Sequence, residues 1–118
     1  MPIVDVEIVG KENTEGLAEK IANCVGRVLG VPKGHTWVKL RYLPQAQYAE
    51  DGGTPPGVRP VFVSLLLADV PDVQERQRQV ADLARELGKV CGRPADNVHV
   101  LYEAPAKGRM AFGGRLVT

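Results

Sequence analysis

The feature that most constrains the fold of this 118-residue chain is a strand–helix–strand pattern that occurs twice. Each copy has a run typical of a strand, a stretch with apolar residues at helical spacing, and a further run rich in β-forming residues. The predicted strands span residues 3–8, 36–43, 60–67 and 97–103, and the predicted helices span 17–29 and 73–91. Landmarks recur at an offset of 58 to 62 residues: Pro2 and Pro60, Gly30-Val31-Pro32 and Gly92-Arg93-Pro94, Gly52-Gly53 and Gly113-Gly114. This offset favours an internal duplication.

The duplication predicts an α/β fold in a single domain, residues 1–118, with pseudo-repeats 1–53 and 60–118 and a linker at 54–59. A right-handed crossover makes the two strands of each unit parallel and places the helix on one face. Two such units side by side form a four-stranded sheet with both helices on the same face. We expect the other face to carry Val and Leu side chains, and a bare apolar face predicts self-association, most simply as a homotrimer.

Composition excludes several classes of protein. Hydrophobic residues make up 44% of the chain, charged residues 25%, and the net charge is +1 with both signs scattered, which argues against disorder and against a nucleic-acid surface. No apolar run approaches a membrane span, and the N-terminus lacks the pattern of a signal peptide. Cys24 and Cys91 fall on apolar helix faces without neighbours at metal-ligand spacing, so we expect two reduced thiols in a cytoplasmic protein.

Pro2 precedes the first strand and is the first candidate for chemistry. The strand alternates, with Ile3, Asp5 and Glu7 on one side and three apolar residues on the other, and proline is tolerated at the start of a strand. Removal of Met1 would leave a secondary amine whose pKa is lowered by apolar surroundings, which makes a general base. The alternative is that Pro2 only begins the strand, and a retained Met1 would turn its nitrogen into an amide.

The closing segment of the second copy carries the most specific resemblance. Val98-His99-Val100 and Glu103-Ala104-Pro105-Ala106-Lys107-Gly108-Arg109-Met110-Ala111-Phe112-Gly113-Gly114 resemble the last strand and Gly-Gly hairpin of 4-oxalocrotonate tautomerase. The duplicated length resembles 5-(carboxymethyl)-2-hydroxymuconate isomerase and macrophage migration inhibitory factor, which pack as trimers. The chain is thus similar to the tautomerase superfamily throughout except in the linker.

This resemblance implies acid–base chemistry without metal or cofactor, on a small 2-oxo or 2-hydroxy carboxylic acid held by cationic side chains. Pro2 matches the catalytic proline, whereas Pro60 is an internal imide without a basic nitrogen. The first cation falls at Lys11, and the second at Lys39 or Arg41 in the first copy, since His99 occupies that position in the second copy. The resemblance assigns the remaining substrate-binding positions to the hairpin: Arg109 as a possible cation, Met110 and Phe112 as the apolar wall.

Three functions remain open on the sequence. The first is a keto-enol tautomerase with Pro2 as the base. The second is a catalytically silent trimeric binding protein of the same fold. The third is a proline-dependent dehalogenase or decarboxylase, in which Glu103 or Glu50 would activate water. Trp37, Tyr42 and Tyr102 are interpreted as core or interface residues rather than catalytic ones.

Overall fold

The computed structural model describes residues 1–10 and 15–118, and the prediction for Lys11 falls outside them. The first copy consists of strand β1 (Ile3–Val9), helix α1 (Leu17–Leu29) and strand β2 (Trp37–Leu43). The second consists of β3 (Val61–Leu66), α2 (Val73–Cys91) and β4 (Val98–Tyr102), followed by a small hairpin of β5 (Ala111–Phe112) and β6 (Arg115–Leu116). Short 3₁₀ turns at Gln45–Gln47 and Ala95–Asn97 lie in the connections. The duplicated strand–helix–strand order is therefore confirmed.

The four long strands form one mixed sheet in the order β2-β1-β3-β4. Strands β1 and β2 are parallel, as are β3 and β4, while β1 and β3 meet antiparallel at the centre. Because the central strands are antiparallel, the beginnings of the two copies lie at opposite ends of the sheet. Pro2 therefore marks one end and Pro60 the other.

Both helices pack on the same face of the sheet and against each other, as the α/β prediction requires. The core between them is formed by alternate strand residues such as Val4, Val6 and Val63, which are at most 1% exposed. Each helix ends at a glycine whose φ is +68°, Gly30 after α1 and Gly92 after α2, a left-handed conformation that glycine adopts without strain. Within the described residues, neither helix is long and apolar enough to cross a membrane.

The opposite face of the sheet differs from the expected Val and Leu surface. Alternation and strand register place two kinds of side chain there. The polar ones are Asp5, Glu7, Lys39, Arg41, Ser64 and His99, and the apolar ones are Ile3, Trp37, Phe62, Leu66 and Leu101. The prediction was wrong because most Val and Leu side chains alternate onto the helix-covered face. On the open face, Ile3, Trp37 and Leu66 form an apolar row at one end, and the charged residues of β1 and β2 lie beyond it.

Candidate active site

Pro2 lies at the very start of β1 and its side chain is less than 2% exposed. Its carbonyl oxygen accepts a hydrogen bond of 3.0 Å from the backbone N–H of Trp37, which joins the beginnings of two parallel strands. Because proline has no N–H, its nitrogen leaves no ladder bond unmade at this position. The atom that would become a free amine is thus fixed by the sheet rather than carried on a flexible arm.

A cavity of about 280 Å³ opens at this end of the sheet and is lined by Met1, Gly34, His35, Trp37 and Phe112. The rings of Trp37 and Phe112 meet edge to face, with centroids 5.1 Å apart and planes at 83°. This geometry is favoured for aromatic pairs. The indole N–H of Trp37 donates to the carbonyl of Gly34 at 3.3 Å, so the walls are largely apolar.

The second copy supplies one wall of this cavity. After β4 the chain returns along the end of β3, where the N–H of Ala106 donates to the carbonyl of Leu67 at 2.8 Å and that of Lys107 to Ala68 at 3.2 Å. Since Leu66 is the partner of Ile3 in the sheet, this return brings the hairpin to the Pro2 end. Phe112 thereby lines the cavity. Its predicted role as part of an apolar wall for the substrate stays a prediction.

Lys39 and Arg41 lie on the open face of the sheet and do not line the cavity. The ammonium of Lys39 and the guanidinium of Arg41 each lie 3.3 Å from the carboxylate of Asp5, and Arg41 is also 4.0 Å from that of Glu7. Both cations are already paired with carboxylates of β1. Their predicted role in holding a substrate carboxylate stays a prediction.

Arg109 and Met110 line a separate hollow of about 170 Å³, together with Leu66, Glu103 and the 104–106 segment. The two predicted wall residues therefore line different cavities, Phe112 the one at the Pro2 end of the sheet and Met110 the separate hollow. Lys11 lies outside the described residues. Of the predicted site residues that the structure describes, Phe112 lines the cavity, and Pro2 lies at the same end of the sheet without being one of the lining residues.

The two carboxylates considered for water activation also lie away from the Pro2 cavity. Glu103 lines the hollow with Arg109, and Glu50 accepts a hydrogen bond of 2.6 Å from the hydroxyl of Tyr48. That hydrogen bond raises the pKa of Tyr48. This placement gives no support to a water-activating carboxylate beside Pro2.

Neither metal nor thiol chemistry is suggested by the placement of the candidate ligands and cysteines. In the part of the chain that the structure describes, no three His, Cys, Asp or Glu side chains are grouped to hold a metal ion. Cys24 is 1% exposed, and burial raises the pKa of its thiol, which disfavours the reactive thiolate. Cys91 is also buried.

Phe112 is the predicted site residue among those lining the cavity, whereas His35 and Trp37 line it without having been predicted to. The parallel pairing of Ile3 with Trp37 puts the start of β2 next to Pro2, and a turn ending at His35 precedes it. In a parallel strand–helix–strand unit the two strands begin at the same end of the sheet, and this could have indicated that residues before β2 lie near Pro2. Identifying which residues these are requires the strand register, which the residue pattern alone leaves undetermined.

Comparison by sequence finds no protein-family model and no curated protein that matches the chain. Solved structures, in contrast, match over nearly its whole length. Pt0534 inactivated by 2-oxo-3-pentynoate is 20% identical, with a TM-score of 0.78 over 98% of this chain and 94% of that one. A wild-type fused 4-OT described as a symmetric trimer is 18% identical, with a TM-score of 0.78 and the same coverages.

A third match is FG41 malonate semialdehyde decarboxylase inhibited by 3-bromopropiolate, 16% identical with a TM-score of 0.73 over 94% of this chain and 88% of that one. At these identities the likeness concerns the fold. The chain therefore has the tautomerase-superfamily fold, which it shares with 4-OT, malonate semialdehyde decarboxylase and macrophage migration inhibitory factor.

Proposed function

We propose that this protein is a cofactor-independent keto-enol tautomerase that acts on a small 2-oxo or 2-hydroxy carboxylic acid with the Pro2 amine as general base. The observation that carries the proposal is the position of Pro2, buried at the start of β1 at the end where an aromatic-walled cavity opens. An amine in apolar surroundings is less readily protonated than one in water. It is then available to accept a proton near neutral pH.

The proposed proton transfer takes place between the Pro2 amine and the substrate. The Pro2 nitrogen takes a proton from the carbon beside the ketone, and the C–H electron pair moves into the carbonyl group to give an enolate. The protonated amine then returns the proton to another atom of the conjugated system. Negative charge that develops on the substrate oxygen is stabilised by a hydrogen-bond donor in the cavity.

The solved neighbours support this substrate class. Pt0534 is inactivated by 2-oxo-3-pentynoate, which is itself a 2-oxo acid. Its alkyne is an acceptor for amines. The nitrogen forms a bond to carbon, one alkyne π bond breaks, and the proton lost from nitrogen ends on the neighbouring carbon, so the adduct keeps the whole mass of the reagent. The same compound is therefore a probe for a nucleophilic Pro2.

We further propose that the chain works as a cytoplasmic homotrimer. The open face of the sheet exposes Trp37 at 54%, Leu101 at 59% and Phe62 at 38%, and a fused 4-OT of the same fold is a symmetric trimer. Apolar side chains of this size favour burial against another subunit. Light scattering on the purified protein should give the mass of three chains, and a monomer at micromolar concentration would contradict the proposal.

A catalytically silent binding protein is the second candidate, and one observation favours it. Met1 itself lines the cavity, and while it is attached the Pro2 nitrogen is an amide without basicity. Removal of Met1 would both free the amine and widen the cavity. The tautomerase requires that Met1 has been removed, whereas the binding protein would retain it. The intact mass of the untagged protein distinguishes the two states directly.

The test compares the chain beginning at Pro2 with the same chain carrying a protease-removable N-terminal extension. We expect 2-oxo-3-pentynoate to add to Pro2 in the first form only, as mapped by mass spectrometry, and enol ketonisation to be lost in the extended form and restored on cleavage. The same extension placed after Thr118 is the matched control. Equal activity with and without a free amine would overturn the proline mechanism.

A further inference from the structure

We propose that His35 binds the substrate carboxylate in this site. The inference rests on the proposed function, because it concerns the same cavity, and it names the side chain that holds the carboxylate of a small 2-oxo acid. His35 lines the cavity together with Met1, Gly34, Trp37 and Phe112, and its side chain is exposed to the opening. Among these five residues, only the imidazole and the indole carry polar side-chain atoms.

The turn before β2 fixes His35 in this position. Its backbone N–H donates to the carbonyl of Pro32 at 3.2 Å, and the preceding Gly34 has a φ of +87° that other residues adopt with strain. Two residues later, Trp37 is hydrogen-bonded to Pro2. The backbone of His35 is therefore held in a closed turn, two residues before Trp37 at the start of β2.

The imidazole of His35 is also the polar side chain of the cavity that remains available for hydrogen bonding to a ligand. Within the described residues it makes no hydrogen bond or ion pair, whereas the indole N–H of Trp37 is directed to the carbonyl of Gly34. A histidine nitrogen donates a hydrogen bond in the neutral ring and pairs with an anion when the ring is protonated. Either form can hold a carboxylate.

Three of the cations expected from the sequence are placed elsewhere, and the fourth, Lys11, lies outside the described residues. Lys39 and Arg41 are both within 3.3 Å of Asp5 on the open face, and Arg109 lines the separate hollow. Of the five residues that line the cavity of about 280 Å³, His35 is the one whose polar side-chain atoms remain available to bind a carboxylate.

The chain has only two histidines, which makes the first test direct. Proton and nitrogen NMR signals of both imidazoles are followed while 2-oxopentanoate, a saturated 2-oxo acid, is added to the chain beginning at Pro2. We expect the His35 signals to shift saturably and those of His99 to stay in place. Pentan-2-one, which lacks the carboxylate, should leave His35 unchanged. His35 signals that do not respond to 2-oxopentanoate would overturn the assignment.

The second test measures how the rate of Pro2 labelling by 2-oxo-3-pentynoate saturates. For His35→Ala we expect the half-saturating concentration to rise about tenfold with the maximal rate retained, since one hydrogen bond to a charged group is lost. His35→Lys should restore the low value, and His99→Gln should behave as the unaltered chain. Unchanged saturation in His35→Ala would refute the role of His35 while leaving Pro2 as the base. Failure of the unaltered chain to label at Pro2 would instead refute the proposed function.

Discussion

The Pro2 end and the Pro60 end of the sheet begin from the same pattern and differ in what surrounds the proline. Both prolines are buried, and both carbonyls accept a backbone hydrogen bond of 3.0 Å, Pro2 from Trp37 and Pro60 from Val9. The nitrogen of Pro60, however, is joined to Arg59 within the chain. The two bonds are not equivalent, since Trp37 lies in the same strand–helix–strand copy as Pro2, whereas Val9 and Pro60 lie in different copies. Of these two prolines, chain connectivity leaves a potential amine only at Pro2.

One difference between the two copies lies directly after their helices. Arg93 follows the glycine that ends α2, and the corresponding residue after α1 is Val31. Arg93 is only 7% exposed, and its guanidinium donates to the carbonyls of Val9 at 3.1 Å and Arg59 at 2.8 Å. At the Pro60 end the space beside the strand is taken by a hydrogen-bonded arginine. The two ends therefore differ in what lies beside the proline, a cavity at the Pro2 end and a buried arginine at the Pro60 end.

The largest expected effect is the difference between Pro2→Ala and Pro60→Ala in enol ketonisation. Loss of the positioned secondary amine should lower kcat/KM by about 100-fold or more, in the range of a removed general base. Pro60→Ala should leave kcat/KM close to that of the unaltered chain, because its nitrogen has no basic lone pair. Circular dichroism and light scattering check that both variants keep fold and assembly. Similar losses of kcat/KM in Pro2→Ala and Pro60→Ala would contradict the proposal that only Pro2 acts as the base.

At the Pro60 end, Arg93→Met should destabilise the protein by about 3 kcal/mol, because two buried carbonyls lose hydrogen bonds to a charged group. Arg85→Met is the matched control, since Arg85 is exposed on α2 and pairs with Asp82 at 2.9 Å. An exposed ion pair contributes under about 1 kcal/mol. Urea denaturation measures both free energies of unfolding. Equal midpoints for the two variants would show that Arg93 does not hold the Pro60 end together.

A smaller difference is expected between equivalent helix glycines, Gly88 in α2 and Gly26 in α1. A Cβ at Gly88 would lie 2.7 Å from the backbone carbonyl oxygen of Arg93, whereas one at Gly26 would lie 3.1 Å from the hydroxyl of Thr36, a side chain. Gly88→Ala should therefore destabilise the protein by about 2 kcal/mol through overpacking. For Gly26→Ala, the gain in helix propensity of about 1 kcal/mol offsets the tighter contact.

Thermal or urea unfolding of these two variants provides the measurement. A greater loss in Gly26→Ala than in Gly88→Ala would reverse the expected order. It would also show that the chain after α1 is packed as rigidly as the chain after α2.

The strand–helix–strand order could be predicted from the sequence because it depends on residues that determine the structure of their own segment. The alternation of polar and apolar residues over 3–8 indicates a strand, and Gly30 and Gly92 indicate where the helices end. The elements and their ends were therefore predictable. The site depends instead on distant pairing. The contact of Phe112 with Trp37 joins the last hairpin to the first strand–helix–strand unit, and the pairing of Lys39 with Asp5 depends on cross-strand register. Neither contact leaves a periodic signal in the sequence.

The central claim is that the Pro2 nitrogen is a free amine acting as the base. The most direct measurement is an NMR titration of protein labelled with ¹⁵N-proline, set beside the pH dependence of kcat/KM for enol ketonisation. We expect one titrating proline nitrogen, that of Pro2, whose pKa coincides with the acid limb of the kcat/KM profile. A fully active protein in which every proline nitrogen remains a non-titrating amide would contradict the account.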